Sequence, residues 1–290
     1  MGFRQFANSM NSILGNPHVN WGEGIVRHLR WQYLKAFDRF PIELGISRSR
    51  IIAAHKRCGV SALIYSQHLY NYNNMKLLQV LLHEGGSFLD VGANIGSFTL
   101  IASEQEKARV YAFEPHPETY RLLRRNVELN RRQNIDLFNV ALGQIGGEMF
   151  LTNDAGSAMN HLTTSPSKRT VAVQCVRADT ICSQHGIRPQ IVKIDVEGFE
   201  YDVLVGFGEY LKSIDLLMIE MNGLSDQRSH GQMEIHALLK ANGLSGPWQC
   251  DFDKKFLYRR KGSGSEDSLY LSSHGCYTLA QNGLAIVESA

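Results

Sequence analysis

The sequence has no long apolar run, no strong charge of either sign and no paired cysteines. No stretch approaches the ~20 apolar residues a bilayer crossing needs, so a spanning helix is not expected. Thirty basic residues stand against 28 acidic ones, a formal net charge of +2. Such a balance gives no general attraction to nucleic acid or to an anionic membrane. The cysteines, Cys58, Cys175, Cys182, Cys250 and Cys276, are odd in number and none belongs to a C-x-x-C pair. They read as reduced thiols of a cytoplasmic protein, not as a disulfide frame or zinc site. The first twenty residues lack the h-region and cleavage site of a signal peptide. No internal repeat is visible. What remains is 43% hydrophobic and 20% charged over 290 residues, an ordinary globular composition for one large domain or a domain with an extension.

What the sequence does have is concentrated between Phe88 and Pro115, FLDVGANIGSFTLIASEQEKARVYAFEP. An apolar run (Phe88, Leu89, Val91) ends in Asp90-Val-Gly92-Ala-Asn94-Ile-Gly96. A helical pattern follows, and a second β-rich run, Val110 to Phe113, ends at Glu114. Strand, glycine turn, helix, strand and acid make the opening of a βαβ unit in a parallel sheet. Gly92 allows a tight turn where a Cβ would meet a ligand. Gly96 opens a helix whose free N–H groups face the crevice at the carboxyl ends of the strands. Glu114 follows Gly92 by 22 residues, where an acid at the tip of the second strand meets the two hydroxyls of a ribose.

A ribose belongs to dinucleotides and to adenosyl cofactors alike, and the glycines separate the two. A dinucleotide site expects G-x-G-x-x-G, its middle glycine admitting a pyrophosphate. Here the spacing is Gly92-x-x-x-Gly96, with Ala93 and Asn94 in the gap. Asp90 also adds negative charge where a pyrophosphate would sit. An acid there suits a ligand carrying an ammonium and a sulfonium, S-adenosylmethionine. The expected cofactor residues are therefore Asp90, Gly92, Asn94, Gly96 and Glu114. An NAD-dependent oxidoreductase is one alternative; a glycine turn that binds nothing is the plainer one.

Ahead of this unit, residues 1–75 read as a helical cap beside the sheet, and 76–290 as the main domain. Ile25, Leu29, Tyr33 and Phe37 recur every four residues and predict a helix over Ile25–Phe40, closed by Pro41. The tyrosines of Tyr70-Asn-Tyr72-Asn-Asn74 either line a substrate pocket or pack half-buried. Met75–His83 is a further short helix before Gly85-Gly86. Beyond Glu114, Pro117 in the first turn and Glu118 at the positive end start a helix through Asn130. Its arginines lack the interleaved exposed aromatics of a nucleic-acid surface and read as a solvated face. Ile135–Leu142 is a third strand. Residues 147–177 are a β-hairpin inserted before the fourth, its tip Ser157–Thr164, with His161, placed to cover the crevice. Gln190–Val196 and Asp215–Met221 are the fourth and fifth strands, with a helix over Gln232–Ala241. Cys250–Arg259 and Leu269–Ser272, joined by the Lys261–Ser265 turn, close the sheet.

The run VKIDVEGFE at 192–200, taken with DVGANIGSFT and AFEPHPETYRLLRRNVELN, resembles the FkbM-type S-adenosylmethionine-dependent methyltransferases over roughly residues 76–260. Ala141-Leu-Gly143 fits the same pattern and adds Ala141 to the expected cofactor residues. The resemblance implies an α/β, Rossmann-like class I methyltransferase fold, doubly wound around a mostly parallel sheet. It also implies methyl transfer to a hydroxyl of a sugar, glycan or polyketide.

The residues support a reaction centre in their own right. Lys193 and Asp195 share one strand face, Glu197 follows at the turn, and Glu220 and Asn222 end the neighbouring strand. Methyl transfer is an in-line displacement, so the protein must align an acceptor oxygen and remove its proton. Alignment supplies roughly 7–11 kcal/mol and a general base about 10²–10⁴-fold. Asp195, Glu197 and Lys193 are the candidates for this work. Asp195 with Glu220 and Asn222 also resembles the magnesium ligands of catechol O-methyltransferase, with glutamate replacing the second aspartate; a divalent metal is a further expectation. The plainer reading is a Lys193–Asp195 ion pair with Glu197 capping the next helix. No Asn/Asp-Pro-Pro-Tyr segment follows the fourth strand, and no cysteine follows a proline. Their absence speaks against amino-methylation of DNA or protein and against cytosine methylation. The expected partner is a small-molecule or glycan acceptor, and a cofactor-binding module without turnover is the remaining alternative.

Overall fold

The computed structural model describes residues 13–14, 19–153, 160–163, 165–221, 231–250, 255–260, 269–271 and 277–279, with side chains as far as Leu244. The chain begins with α1 (Trp21–Ala36), the hairpin β1 (Ile42–Ile46) and β2 (Ser49–Ala53), then α2 (Gly59–Gln67) and α3 (Tyr72–Leu81). The βαβ unit follows as β3 (Gly86–Val91), α4 (Ser97–Ser103) and β4 (Ala108–Phe113), with α5 (Pro117–Leu129) and β5 (Ile135–Phe138) after it. Next come the short strands β6 (Ala141–Leu142), β7 (Gly147–Thr152), β8 (Leu162–Thr163) and β9 (Thr170–Val176), and then α6 (Ala178–His185). β10 (Ile191–Ile194), α7 (Glu200–Gly206), β11 (Leu216–Glu220), α8 (Gln232–Ala241), β12 (Leu244–Cys250) and β13 (Lys255–Arg260) complete the main layer, and β14 (Leu269–Leu271) with β15 (Tyr277–Leu279) lies after it.

Seven strands form the main sheet in the order β12-β13-β11-β10-β3-β4-β5. The five from β11 to β5 are parallel, and β13 is antiparallel to both neighbours. The chain order reverses at the β3–β10 boundary, the position where doubly wound sheets open a ligand crevice. Alternate residues of these strands feed two separate cores. Phe88, Val110, Ala112, Ile191 and Met218 face one, whereas Leu89, Val91, Phe113, Val192 and Ile219 face the other. Burial on both faces is why the strands are almost continuously apolar. The helices α6, α7 and α8 cover the second face through Cys182, Val203 and Leu239. On the first face, Phe98 of the βαβ unit and Leu123 of α5 pack with Trp31, Leu44, Ile51, Ile64 and Leu78 from the N-terminal elements. The doubly wound, mostly parallel α/β sheet expected from the sequence is therefore present.

Several elements differ from the sequence pattern. α1 lies four residues earlier than the periodicity suggests, because Asn20 caps it by accepting the Glu23 N–H at 3.1 Å. The N-terminal segment is part helix and part hairpin; five-residue strands are too short to announce themselves. The expected third strand divides in two. At the break, the Asn139 side-chain amide donates to the carbonyls of Glu114 (2.8 Å) and Pro115 (3.0 Å), and the chain leaves the main sheet. β6 then joins β9, β7 and β8 in a second sheet of four strands, which holds the inserted hairpin. The closing pair is β12 and β13, one strand earlier than expected, while β14 pairs with β15 in a small sheet of its own. The Lys261–Ser265 turn and residues 157–159 and 164 of the hairpin tip lie outside the described residues. Among the described residues, no helix is long and apolar enough to cross a membrane, and Cys58, Cys175 and Cys182 are buried free thiols.

One buried carboxylate ties the hairpin to the βαβ unit. Glu104, just after α4, accepts from Ser47 Oγ (2.8 Å), the Arg48 N–H (2.9 Å), Ser49 Oγ (2.8 Å) and Gln79 Nε2 (3.0 Å). Removing it strands several donors away from water, each such loss costing about 1–3 kcal/mol. Glu104→Ala is therefore expected to lower unfolding stability by on the order of 3 kcal/mol, read from urea denaturation. An unchanged midpoint would show that the hairpin is held by its other contacts, the apolar ones and the bonds of Arg50 and Ile52 to Asn130 and Asn126.

Candidate active site

A cavity of about 640 Å³, counting its open mouth, lies at the carboxyl ends of β3, β4 and β10. The turn after β3 forms its floor. Gly92 has φ +79°, and a Cβ there would stand 2.0 Å from the Asp195 carbonyl oxygen. A close approach that requires glycine is thus the end of β10, whose Asp195 N–H donates to the Val91 carbonyl at 3.1 Å, a reason the sequence did not show. Gly96, at φ +92°, is the N-cap of α4; a Cβ there would run into Leu123 at 2.5 Å.

Glu114 stands at the tip of β4, nearly fully buried. Its Oε2 accepts the Asn94 N–H and its Oε1 the His116 N–H, both at 2.9 Å. Each oxygen keeps a free acceptor direction, so the carboxylate is fixed in orientation and still able to take two hydroxyl protons. Burial pushes its pKa up to about 7, although the two backbone N–H groups and Lys193 act in the opposite sense. The walls are apolar where Phe113, Val140, Leu151 and Leu162 line the cavity. Leu151, Asn160 and Leu162 come from the second sheet, so the inserted hairpin covers this crevice as expected, though His161 is not among the lining residues.

Beside it, under the β3–β10 boundary, lies a buried charge cluster. Lys193 Nζ is 3.2 Å from Asp90 Oδ1 and 3.6 Å from Asp195 Oδ2, and donates to the Gly92 carbonyl at 3.1 Å. The other oxygen of Asp90 accepts from Thr99 Oγ1 at 2.7 Å. Burial works against the Lys193 ammonium, but Asp90, Asp195 and Tyr70 outweigh it and hold the pKa above the usual lysine value. Asp90 is completely buried and does not line the cavity.

A second, smaller cavity of about 270 Å³, counting its open mouth, opens on the face of the sheet next to α3 and α4. It is lined by Asn74, Phe98, Lys193, Met218, Ile219 and Glu220 among others, and Asp195 is the residue it shares with the larger cavity. Behind the turn, Glu200 accepts the Gly198 N–H at 2.8 Å; burial lifts its pKa to about 7, with Asp195 and Glu220 adding to the rise. The N-cap position of α7 is held by Phe199 rather than by Glu197. Glu197 sits in the turn at φ +53° and lines the larger cavity.

Of the expected cofactor residues, Gly92, Asn94, Glu114 and Ala141 line the larger cavity, while Asp90 and Gly96 lie behind it. Of the three expected magnesium ligands, Asp195 is ion-paired with Lys193, Glu220 lines the smaller cavity, and Asn222 lies outside the described residues. No set of three or more His, Cys, Asp or Glu side chains suited to a metal is assembled among the described residues. His116 is a cavity residue that the sequence reading missed. It is the N-cap of α5, its Nε2 lies 3.0 Å from Asn153 Oδ1, and it thereby links β4 to the second sheet. The signal for it is the Glu114-Pro-His-Pro117 run, where a chain that must turn under a strand-end acid offers that acid a backbone N–H.

The Methyltransferase FkbM domain matches residues 90–245, more than half of the chain. The chain belongs to the FkbM methyltransferase family. The hexuronic acid methyltransferase AglP of Haloferax volcanii is similar to this FkbM methyltransferase, with 28% identity over 200 residues, 66% of this chain and 82% of AglP. Methyltransferase sdnD of Sordaria araneosa is 28% identical over 198 residues, 64% of this chain and 73% of sdnD. The solved structure of M. jannaschii TYW2 in complex with AdoMet covers 76% of this chain and 86% of its own at 14% identity; its TM-score of 0.39 is too low to bear on the site.

The charge cluster of the FkbM methyltransferase makes a prediction that needs no ligand. Lys193→Met leaves Asp90 buried without its cation, a loss of about 3–5 kcal/mol. Adding Asp90→Asn is expected to return about half of that loss in urea denaturation, because a neutral amide needs no counter-charge. A single variant as stable as the parent protein would show that the buried Asp90 does not depend on its cation.

Proposed function

We propose that this methyltransferase uses S-adenosylmethionine to methylate a hydroxyl of a sugar, glycan or polyketide, with Glu114 holding the cofactor ribose and Asp195 acting as general base. The observation that carries the reading is the position of Asp195 where the two cavities meet, one closed by Glu114 and the other flanked by Glu220. The residues present fit the cofactor. Glu114 offers two oriented acceptor oxygens, as a ribose diol requires, and the apolar walls beyond it suit the flat faces of an adenine. The name of AglP, a hexuronic acid methyltransferase, supports a sugar acceptor.

When bound, S-adenosylmethionine supplies an activated methyl carbon, so the chain has only to position the acceptor and accept its proton. Asp195 is about a quarter exposed, near enough to the surface to exchange a proton with solvent. Lys193, fixed by Asp90, orients the Asp195 carboxylate from one side, and Asp195 lines both cavities, where an acceptor hydroxyl would approach. Glu197 in the adjoining turn adds a second carboxylate to the larger cavity. The shape of the crevice, rather than a covalent intermediate, does the catalytic work, chiefly through alignment.

Three outcomes are expected. Glu114→Ala weakens S-adenosylhomocysteine binding by about 2–3 kcal/mol in calorimetry; an unchanged affinity removes Glu114 from the site. Asp195→Asn lowers turnover by at least about a hundredfold while the affinity stays within a few-fold, and a variant keeping a tenth of the rate would make Asp195 structural. Because burial lifts Glu114 to about 7, its carboxylate form is scarce at pH 6 and dominant at pH 8. Affinity for S-adenosylhomocysteine should therefore rise about tenfold across that range, and a flat profile would argue against ribose binding by an ionised Glu114.

A further inference from the structure

Exposed apolar side chains are unevenly spread over this molecule. Among the described residues eight large hydrophobic side chains are exposed, and six fall within residues 14–37: Leu14, Trp21, Val26, Leu29, Tyr33 and Phe37. The other two, Ile145 between β6 and β7 and Met233 on α8, stand alone. Single residues of this kind need no explanation, whereas a contiguous group marks a surface with a partner. Val26, Leu29, Tyr33 and Phe37 recur at spacings of three and four, so they form one stripe along α1 and its C-cap. Each is between 54% and 64% exposed, and the Tyr33 and Phe37 rings lie 4.6 Å apart. The buried side of the helix is the opposite one, with Gly24, His28 and Trp31. Trp31 holds it to the core through ring contacts with Phe40 and Tyr65. The helix is therefore apolar where it meets solvent, the side on which a surface helix ordinarily carries polar groups.

We propose that this stripe is a membrane-surface contact, through which α1 lies in the headgroup layer of an anionic bilayer. The inference goes beyond the proposed reaction and does not depend on it. The mixture of side chains favours a bilayer. Aliphatic Val26 and Leu29 stand with the rings of Tyr33 and Phe37, and an exposed Trp21 begins the helix. Such rings settle at the boundary between headgroups and acyl chains.

Charge points the same way. Residues 1–39 hold five basic side chains, Arg4, Arg27, Arg30, Lys35 and Arg39, against the acids Glu23 and Asp38. Both acids are engaged by cations, Glu23 by Arg27 at 2.7 Å and Asp38 by Lys56 at 3.3 Å. Arg30 and Arg39 are exposed on the same stretch of chain as the stripe. Long basic side chains so placed reach lipid phosphates while their stems lie on apolar surface. Area separates a bilayer from a second copy of the chain. A handful of side chains exposed to this degree presents on the order of 500 Å², short of the ~800 Å² per partner that a stable dimer buries. A bilayer sets no such minimum, because an amphipathic face enters only the headgroup boundary and anionic lipid adds to the attraction.

The test uses the full chain and co-sedimentation with two kinds of vesicle, phosphatidylcholine alone and phosphatidylcholine with about one quarter phosphatidylglycerol. Binding to the anionic vesicles should exceed binding to the neutral ones at least about fivefold at ~0.1 M salt, and should fall severalfold at ~0.5 M. Leu29→Gln combined with Phe37→Gln should weaken it at least about tenfold. Arg30→Gln combined with Arg39→Gln should erase most of the preference for anionic lipid. Both variants alter exposed side chains, so their S-adenosylhomocysteine affinity and urea midpoint should match the parent protein. Should the apolar pair disturb folding, the arginine pair decides. The proposal is overturned by a parent protein that ignores both vesicles, by equal binding to both, or by an apolar variant that binds as the parent does. A dimeric parent in sedimentation velocity, monomeric in the apolar variant and without vesicle binding in either, assigns the stripe to a second copy. Monomers throughout, again without binding, assign it to another segment of this chain. Either result overturns the proposal and leaves the methyltransferase reading standing, since S-adenosylhomocysteine binding decides that one.

Discussion

Asp90 and Lys193 are register partners on adjacent parallel strands, and their side chains meet under the boundary where the sheet changes direction. A buried pair of this kind is a poor source of net stability, since desolvation offsets most of the Coulomb attraction. What it does supply is intolerance of any other arrangement. A one-residue slip of β10 would turn Lys193 into the opposite, wholly apolar core and leave Asp90 without a cation. The pair therefore pins β10 against β3. Because β10 is pinned, Asp195 leaves its end at one height, with its carbonyl over Gly92 and its carboxylate toward the crevice. The glycine, the ion pair and the candidate base form one constraint seen from three sides.

The same logic separates the two carboxylates of the crevice by environment. Glu114 is nearly buried and held by backbone N–H groups, and among the described residues no basic side chain is ion-paired with it, so burial raises its pKa to about 7. Asp195 is partly exposed and sits against a lysine. The sheet brings these two differently held carboxyl groups to a single opening. The second sheet and the N-terminal elements then supply the walls, one over the larger cavity and the other beside the smaller.

Much of this was legible in order along the chain. The strand–turn–helix–strand run with its acid identified the crevice and Glu114, because local spacing in a βαβ unit translates directly into position. Parallel strands buried on both faces gave unbroken apolar runs, so β3, β4, β10 and β11 were visible. The hairpin β1–β2 and helix α6 were not, since elements of five to eight residues carry too little periodicity. The pairing of Asp90 was not legible for a different reason. Its charge was read against an expected ligand, whereas its partner, Lys193, is 103 residues away. The reason for Gly92 was hidden likewise, in the backbone of Asp195.

By itself, then, the sequence determined the sheet, the crevice and the acid at its lip, because each follows from contacts between neighbours in the chain. Tertiary structure alone decided that Lys193 belongs first to Asp90 and that Asp195 stands between two cavities. Those facts depend on strands and helices distant in sequence meeting at one boundary, and burial and pairing across that boundary leave no local trace.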